Sequence, residues 1–256
     1  MSQRRDEIAA HVAARGEVRI DDLVAAFGVS RMTIHRHVEE LARLGVLRKL
    51  HGAVSAQPSG VYESLHGYRA GRHAAAKAAL ARAALAEITA GDALMLDDST
   101  TLAALAPLLP GRGPLTVVTN SLGVMQALAG AEDIALITPG GAYHPTYHAF
   151  IGPLCETALA GLRANVALVS ASAIDGMAAL IQDGQVTRAK QAMLAAAARR
   201  VLLVDSSKFG RVALHKLAEL TDFHAVFTDS ALPGATAETL RAAGVPLHLV
   251  DIDDAE

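Results

Sequence analysis

The chain has 256 residues, a formal net charge of −3, one Cys and no Trp. That length allows one or two domains with a sizeable core, and a single Cys excludes an intramolecular disulfide framework and fits a reducing cytoplasm. With 52% apolar and 19% charged residues, a mainly disordered chain is excluded. The Ala-rich stretches at 74–90 and 189–200 are interrupted by Lys and Arg, short of the roughly 18–20 apolar residues a spanning helix needs. No apolar segment follows the polar start of the sequence, so no signal peptide is expected and the expected location is cytoplasmic.

The charge is unevenly placed. Residues 1–57 carry nine Lys/Arg against seven Asp/Glu, a net of +2, which leaves −5 for the remainder. Within 29–57 the balance is five basic to two acidic, with His35, His37 and His51 added. Such asymmetry is a weak pointer toward nucleic acid for the first piece, and charge alone fits an ordinary solvated surface better. Gln57-Pro58-Ser59-Gly60 is a turn-rich break. The expected organisation is a domain over 1–57, a linker over 58–74 and a second domain over 75–256, with a helix running through 69–88.

In the first piece, Ile8 and Val12 recur at helical spacing, which predicts a helix near 3–15 that Gly16 stops. Val18-Arg19-Ile20 reads as a short strand. Asp21 is the expected N-cap of a second helix reaching Phe27, with Leu23, Val24 and Phe27 on one face. Gly28-Val29 turns the chain, and Ser30 caps a third helix to about Leu44 with Ile34, Val38 and Leu41 as its apolar stripe. Val46–Leu50, His51-Gly52 and Ala53–Ser55 then read as a β-hairpin.

Helix, helix, turn, helix and hairpin in that order make a winged helix-turn-helix. The N-terminal residues of its third helix enter the major groove, where base edges are distinguishable. The expected DNA-contacting residues are Ser30, Arg31, Met32, Thr33, His35 and Arg36 on that helix, with Arg48, Lys49 and His51 on the hairpin. Arg bonds guanine bidentately, Thr or Met meets a thymine methyl, and the hairpin cations neutralise phosphates. A small helical protein-interaction module is the alternative.

These residues resemble the DNA-binding segment of the DeoR family of bacterial transcription regulators. The resemblance is carried by Ile20-Asp21-Asp22-Leu23, by Phe27 to Ile34, by Leu41 to Arg48 and by His51-Gly52-Ala53. The family's reading helix runs Val-Ser-x-x-Thr-Ile-Arg-Arg-Asp-Leu. Here His35 replaces the first Arg, His37 the Asp and Val38 the Leu, while Arg36 keeps the second Arg.

From about Ala75 the pattern alternates. Strand-like runs lie at 93–96, 115–119, 134–138, 166–171, 201–204, 225–228 and 247–250, with helical runs near 101–109, 121–129, 153–163, 187–199 and 235–243. Val-, Ile- and Leu-rich strands alternating with helices predict a mostly parallel sheet covered on both faces. Ligands bind such sheets beyond the carboxyl ends of the strands. Polar turn formers stand there: Asp97, Asp98, Ser99, Thr100 and Thr101; Thr119, Asn120 and Ser121; Gly140 and Gly141; Asp205 and Lys208; and Thr228-Asp229. Ser99, Thr100 and Thr101 at a helix start offer hydroxyls and N–H groups to an anion, Lys208 adds a point charge, and Asp97, Asp98 and Asn120 suit sugar hydroxyls. Each loop alone is better read as helix caps and turns; several converging on one edge suit a small-molecule pocket.

The resemblance extends over nearly the whole chain. Leu96 to Thr101, Thr116 to Ser121, Gly140-Gly141 with Ile151-Gly152-Pro153, Lys190, Asp205 to Gly210 and Thr228-Asp229 look like the family's sugar-binding domain, which is similar in fold to ribose-5-phosphate isomerase. It implies a phosphorylated sugar or polyol effector that alters DNA binding, and it adds Lys190 to the effector residues. Two departures stand out. Asp98 occupies a position where the family has Gly, and Ala142-Tyr143-His144 follows Gly140-Gly141 where a basic residue is common.

Other chemistry finds little support. Cys155 has no partner Cys and reads as a buried apolar residue. Pro145 breaks any helix through His144 and His148, so no metal site is expected there. The Gly spacing of a dinucleotide fingerprint and the Gly-x-Ser-x-Gly elbow are absent. The expectation is a homo-oligomeric regulator, dimer or tetramer, that binds operator DNA and a phosphorylated effector, with no cofactor and no catalytic role. The alternative is a sugar-phosphate isomerase-like enzyme in which Asp97, Asp98 and Lys208 move protons.

Overall fold

A computed structural model describes residues 3–56 and 64–252. Two compact units divide between Gly71 and Arg72. The first contains α1 (Gln3–Arg15), β1 (Glu17–Arg19), α2 (Ile20–Phe27), α3 (Arg31–Arg43), β2 (Leu47–Lys49), β3 (Ala53–Ala56) and α4 (His66–Gly71). Its core joins the expected stripe Ile34, Val38 and Leu41 to Ile8, Val12, Leu23 and Val54. The three strands form an antiparallel sheet in the order β1-β3-β2, so the N-terminal strand closes the hairpin as a third member.

Two local readings change. Helix α2 starts one residue before Asp21, and its N-cap position, Arg19, makes no side-chain cap. Asp21 therefore sits in the first turn, where a carboxylate still complements the helix dipole, and it pairs with Arg31 across the turn. Ser30 does cap α3, its hydroxyl accepting from the Thr33 amide at 3.2 Å. Gly28 closes α2 at φ +61, and its amide donates to the Val24 carbonyl at 3.0 Å.

The helix expected over 69–88 is broken. Helix α4 ends at Gly71, and His73 takes a left-handed backbone conformation, φ +51, immediately before α5 (Ala74–Ala84); a 3-10 turn, Leu85–Glu87, follows. Of the segment expected as a linker, 58–63 lies outside the described residues. Tyr68 and Leu65 in its described part are apolar and pack into the first unit's core, and the Leu65 amide donates to Leu44 at 3.0 Å.

The second unit continues with β4 (Ala93–Leu96), α6 (Thr100–Leu105), β5 (Leu115–Thr119), α7 (Leu122–Leu128), β6 (Ile134–Ile137), β7 (Ala142–His144), β8 (Ala149–Ile151), α8 (Pro153–Ala160) and β9 (Ala164–Val169). It ends with β10 (Ala173–Asp175), β11 (Ala178–Ile181), α9 (Gly184–Ala196), β12 (Ala197–Leu203), β13 (His215–Glu219), β14 (Ala225–Asp229), α10 (Gly234–Ala242) and β15 (Leu247–Val250). All seven expected strand runs enter one sheet, in the order β15-β14-β12-β9-β4-β5-β6, with every neighbouring pair parallel.

Alternate strand residues feed two cores. Leu94, Leu96, Val117, Leu168 and Leu203 meet α5, α6 and α7 on one face. Met95, Val118, Ala167, Val169 and Leu202 meet α8, α9 and α10 on the other, with Cys155 fully buried among them. Helix α9 starts at Gly184, capped by Asp183, and gives way to β12 at Ala197, so the helix expected to reach 199 is shorter at that end. Strands β7 and β8 and the antiparallel sheet β10-β11-β13 were not expected. Among the described residues no helix is long and apolar enough to cross a membrane.

The strand order turns at β4: β5 and β6 lie on one side, and β9, reached next, lies on the other. This is a topological switch point, and the crevice it opens is bounded by the residues just after β4 and β9.

Candidate effector site and nucleic-acid interface

On α3, Arg31, Met32, His35 and Arg36 are exposed, at positions i, i+1, i+4 and i+5, on the side away from Ile34, Val38 and Leu41. Met32 is 82% exposed, the most exposed large apolar side chain among the described residues. Thr33 is half-buried, and its hydroxyl lies 3.0 Å from that of Ser30, so both hydroxyls serve the cap as well as facing the helix start. Two expected contacts are already paired, Arg31 with Asp21 and Lys49 with Glu39 at 3.2 Å. Arg36 and Arg48 have no acidic partner among the described residues, and His51 is exposed on the hairpin loop. His37 is half-buried; burial, then the charges of Arg36, Arg5 and Arg4, lower its pKa, so a neutral ring is favoured.

In the second unit the switch-point crevice is built around Asp97. One carboxylate oxygen accepts from the Ser99 amide at 2.9 Å. The other accepts from the Ser170 amide at 2.7 Å and from Lys190 Nζ at 2.5 Å. Lys190 also donates to the Ser170 carbonyl at 3.1 Å and lies 3.5 Å from Asp98. All three charged side chains are buried. Burial by itself lowers the pKa of Lys190, but the charges of Asp97 and Asp98 more than offset it, and the pKa is raised. The ammonium is thus held charged by two carboxylates from one strand end.

Neighbouring strands stand about 4.8 Å apart, so the groups after β12, β9, β4 and β5 form a row along one edge. Register places Leu96 beside both Leu168 and Thr119, which puts Asp97 level with Asn120. Ser99 caps α6 through the Leu102 amide at 3.1 Å, and Thr100 and Thr101 are buried. Helix α6 is only six residues long, and the Ser99 amide is taken by Asp97. Its capacity for an anion is smaller than the sequence pattern implies. Thr119 accepts from the Ser121 amide and Ser121 caps α7, both as local turn bonds.

Beyond β12, Asp205 is buried and accepts from the Ser207 hydroxyl. Burial opposes its charge, yet Lys208, the Ser207 bond, His73 and Lys77 together hold its pKa below the ordinary value. Ser206 donates its amide to buried Asp229 at 2.7 Å. Helix α5 packs on β12 and β14 and brings Lys77, buried, toward this end. Asp229, expected at its strand end, stands at this site, and Ser170, Lys77 and His73 join it although sequence reasoning did not select them. Lys77 left one signal, a lone basic residue in the first turn of an Ala-rich helix; Ser170 acts through its backbone and left none. Gly140 and Gly141 sit between β6 and β7, and a side chain at Gly141 would meet the Ile151 carbonyl at 2.6 Å.

Comparison with known proteins adds two family matches. Residues 4–59 match the DeoR-like helix-turn-helix domain and residues 72–230 match the DeoR C terminal sensor domain. The L-fucose operon activator of Haemophilus influenzae is 33% identical, over 91% of this chain and 94% of its own. The glycerol-3-phosphate regulon repressor of Escherichia coli is 30% identical over 97% and 98% respectively. Ribose 5-phosphate isomerase A of Methanocaldococcus jannaschii overlaps 52% of this chain and 53% of its own, at 18% identity and a TM-score of 0.38.

Proposed function

The chain belongs to the DeoR family of transcriptional regulators, and from that premise we propose that it represses a sugar or polyol catabolic operon under the control of a phosphorylated sugar or polyol. The observation that carries this reading is the exposed face of α3, Arg31, Met32, His35 and Arg36, in one chain with a switch-point crevice lined by polar groups. In it, Arg36 reads a base edge, Met32 meets a thymine methyl, and Arg48, Lys49 and His51 contact phosphates. Ser30 and Thr33 hold the start of the helix. One such module buries too little surface for tight specific binding, so the protein acts as a homo-oligomer on paired half-sites.

The effector lies along the sheet edge. Its hydroxyls meet Asp98, Asn120 and their neighbours, and its phosphate meets Lys208 and the Ser99–Thr101 turn, with Lys77 close by. Asp97 and Lys190 hold the crevice open to it from below. The relatives support the class of ligand, since one is named for glycerol 3-phosphate and another for L-fucose. One is a repressor and the other an activator, and repression is the sign proposed here. The protein is not a catalyst in this reading, because Asp97, a carboxylate the enzymatic alternative needs for proton transfer, is already taken by the Ser99 and Ser170 amides and by Lys190.

The test is retardation of the DNA upstream of the protein's own gene, with and without a panel of sugar and polyol phosphates. Lys208→Ala is expected to retain retardation and lose the effector response. Turnover of a sugar phosphate with no retardation of DNA would overturn the reading in favour of an isomerase-like enzyme.

A further inference from the structure

We propose that a cavity between α9, β12 and β13 is a second ligand site, built for a small apolar amino acid whose carboxylate meets Arg200 and whose ammonium meets Asp222. The site stands apart from the effector crevice and does not depend on the effector reading above.

The cavity has a volume of about 230 Å³. Leu194 on α9, Leu217 on β13 and Phe223 supply its large apolar walls, and all three are buried. Gln191 also lines it; its side-chain amide donates to the carbonyls of Lys216 and Leu217 at 3.3 and 3.4 Å and ties α9 to β13. Arg200 comes from β12. Side chains alternate along a strand, so Arg199 lies on the other face and pairs with Glu87, while Arg200 shares the face of Leu202, which packs with Met193 and Leu194 of α9. Asp222 comes from the 3-10 turn Leu220–Asp222 and accepts from the Glu219 amide at 3.0 Å. Next along the chain, the His224 amide donates to the Arg200 carbonyl at 2.8 Å, just before β14 begins. The cavity therefore lies toward the amino end of the sheet, whereas Asp97, Asp205 and Asp229 mark the carboxyl end.

Three features point to this ligand. First, Arg200 Nε is buried and has no hydrogen-bond partner among the described residues. A buried cationic donor without an acceptor is costly, and a carboxylate is the acceptor that the guanidinium fork fits best. Second, Arg200 and Asp222 line the same cavity yet form no ion pair with each other or with any other described residue. The charges nearby are engaged elsewhere, Lys216 with Glu219 and Arg199 with Glu87. A simple anion on Arg200 would be repelled by Asp222, and a simple cation on Asp222 by Arg200. A zwitterion answers both, and an α-amino acid carries its two charges close together. Third, most of the lining is apolar, with Ala195 and Ala218 beside the three large walls, which suits an apolar side chain. The volume is far above the roughly 30 Å³ of one water and below the about 300 Å³ at which pockets for drug-sized ligands begin, so the occupant is small.

The test is calorimetric titration of the full chain with L-valine, L-leucine, L-isoleucine and L-methionine, each beside its analogue lacking the ammonium and its analogue lacking the carboxylate (for leucine, isocaproate and isoamylamine). At least one amino acid is expected to bind. For the tightest of them, removing either charged group is expected to weaken binding at least about tenfold. Arg200→Gln and Asp222→Asn are expected to show a loss of the same size with the intact amino acid. Ala195→Leu places a good helix former at an exposed position of α9 and fills the cavity from that side; it is expected to abolish binding, and it tests the site even if Arg200→Gln does not fold. No binding by any of the four amino acids would overturn the proposal. Binding that Ala195→Leu and Asp222→Asn both leave intact would place the ligand elsewhere and overturn it too. An analogue that binds as tightly as its parent would show that one of the two charges is not met, which refutes the zwitterion site.

Discussion

The two units hold their charge in opposite ways. In the first, Arg31, Arg36, Arg48 and Lys49 stand in solvent, and the two that are paired meet acids that are themselves exposed. In the second, Lys190, Asp97 and Asp98 are withdrawn from water and bonded to one another and to the backbone. A surface that must bind a polyanion keeps its cations hydrated and available, because exposed pairs contribute little and are screened by salt. A crevice that must recognise a small ligand fixes its polar groups in advance. Buried charges are costly to hold, but once paired they do not rearrange.

The largest effect that would test this contrast is in the crevice. Lys190→Met leaves Asp97 and Asp98 buried without their cation, and breaking such a pair costs about 3–5 kcal/mol. The expected outcome is a markedly lower melting temperature at neutral pH, with the deficit shrinking in acid as the stranded carboxylates take up protons. In the wild type the raised pKa of Lys190 works in the other direction. Its contribution is fully present below the ordinary Lys value of about 10.4 and is lost as pH rises through the elevated folded value. Alkaline unfolding should therefore be more pronounced in the wild type than in the variant. A Lys190→Met protein that melts with the wild type would mean the group is not the rigid centre described here.

The exposed unit should respond in binding, not in folding. Arg36→Ala removes a side chain with no ion-pair partner among the described residues. Specific DNA affinity is expected to fall by about 1–3 kcal/mol, with the melting temperature almost unchanged. Retardation assays on cognate and unrelated DNA separate the two ways Arg36 can act. A loss confined to the cognate site marks a base contact, and an equal loss on both marks a phosphate contact. An unchanged midpoint on both removes Arg36 from the interface.

The same contrast explains what could be read without coordinates. Ser30, the stripe Ile34, Val38 and Leu41, and all seven strands of the parallel sheet follow from periodicity and capping, which are local signals. So did the polar strand ends, because parallel strands put their loops on one edge. The breaks came from features with weak local signals. His73 occupies a left-handed conformation that its type does not announce, and the helix expected over 69–88 is interrupted there. Strands β7, β8, β10, β11 and β13 are only three to five residues long, too short for a clear period; β7–β8 and β10–β11 are local hairpins, and β13 joins β11 from far along the chain. The Lys190–Asp97 pair spans 93 positions in sequence, and only family resemblance had placed Lys190 near the effector. The role of Ser170 is carried by its peptide group, which every residue has.

The smallest effect concerns the pair Arg31–Asp21. Both side chains are mostly exposed, 61% and 65%, so Asp21→Ala should change the melting temperature little, within about 1 kcal/mol of stability. Its effect on DNA should have the opposite sign to that of Arg36→Ala. In the free protein the Asp21 carboxylate competes with DNA phosphate for Arg31 and adds a negative charge beside the reading helix. Removing it frees the guanidinium, and affinity is expected to rise about two- to fivefold at low salt, consistent with the worth of an exposed pair. The gain should shrink as salt is raised, since both interactions are screened. It should also appear on unrelated DNA, because charge is being released and no base is being read. Affinity that stays level or falls in Asp21→Ala would show that the pair orients Arg31 for binding, which would make the first unit pre-organised in the same sense as the crevice and narrow the difference between the two.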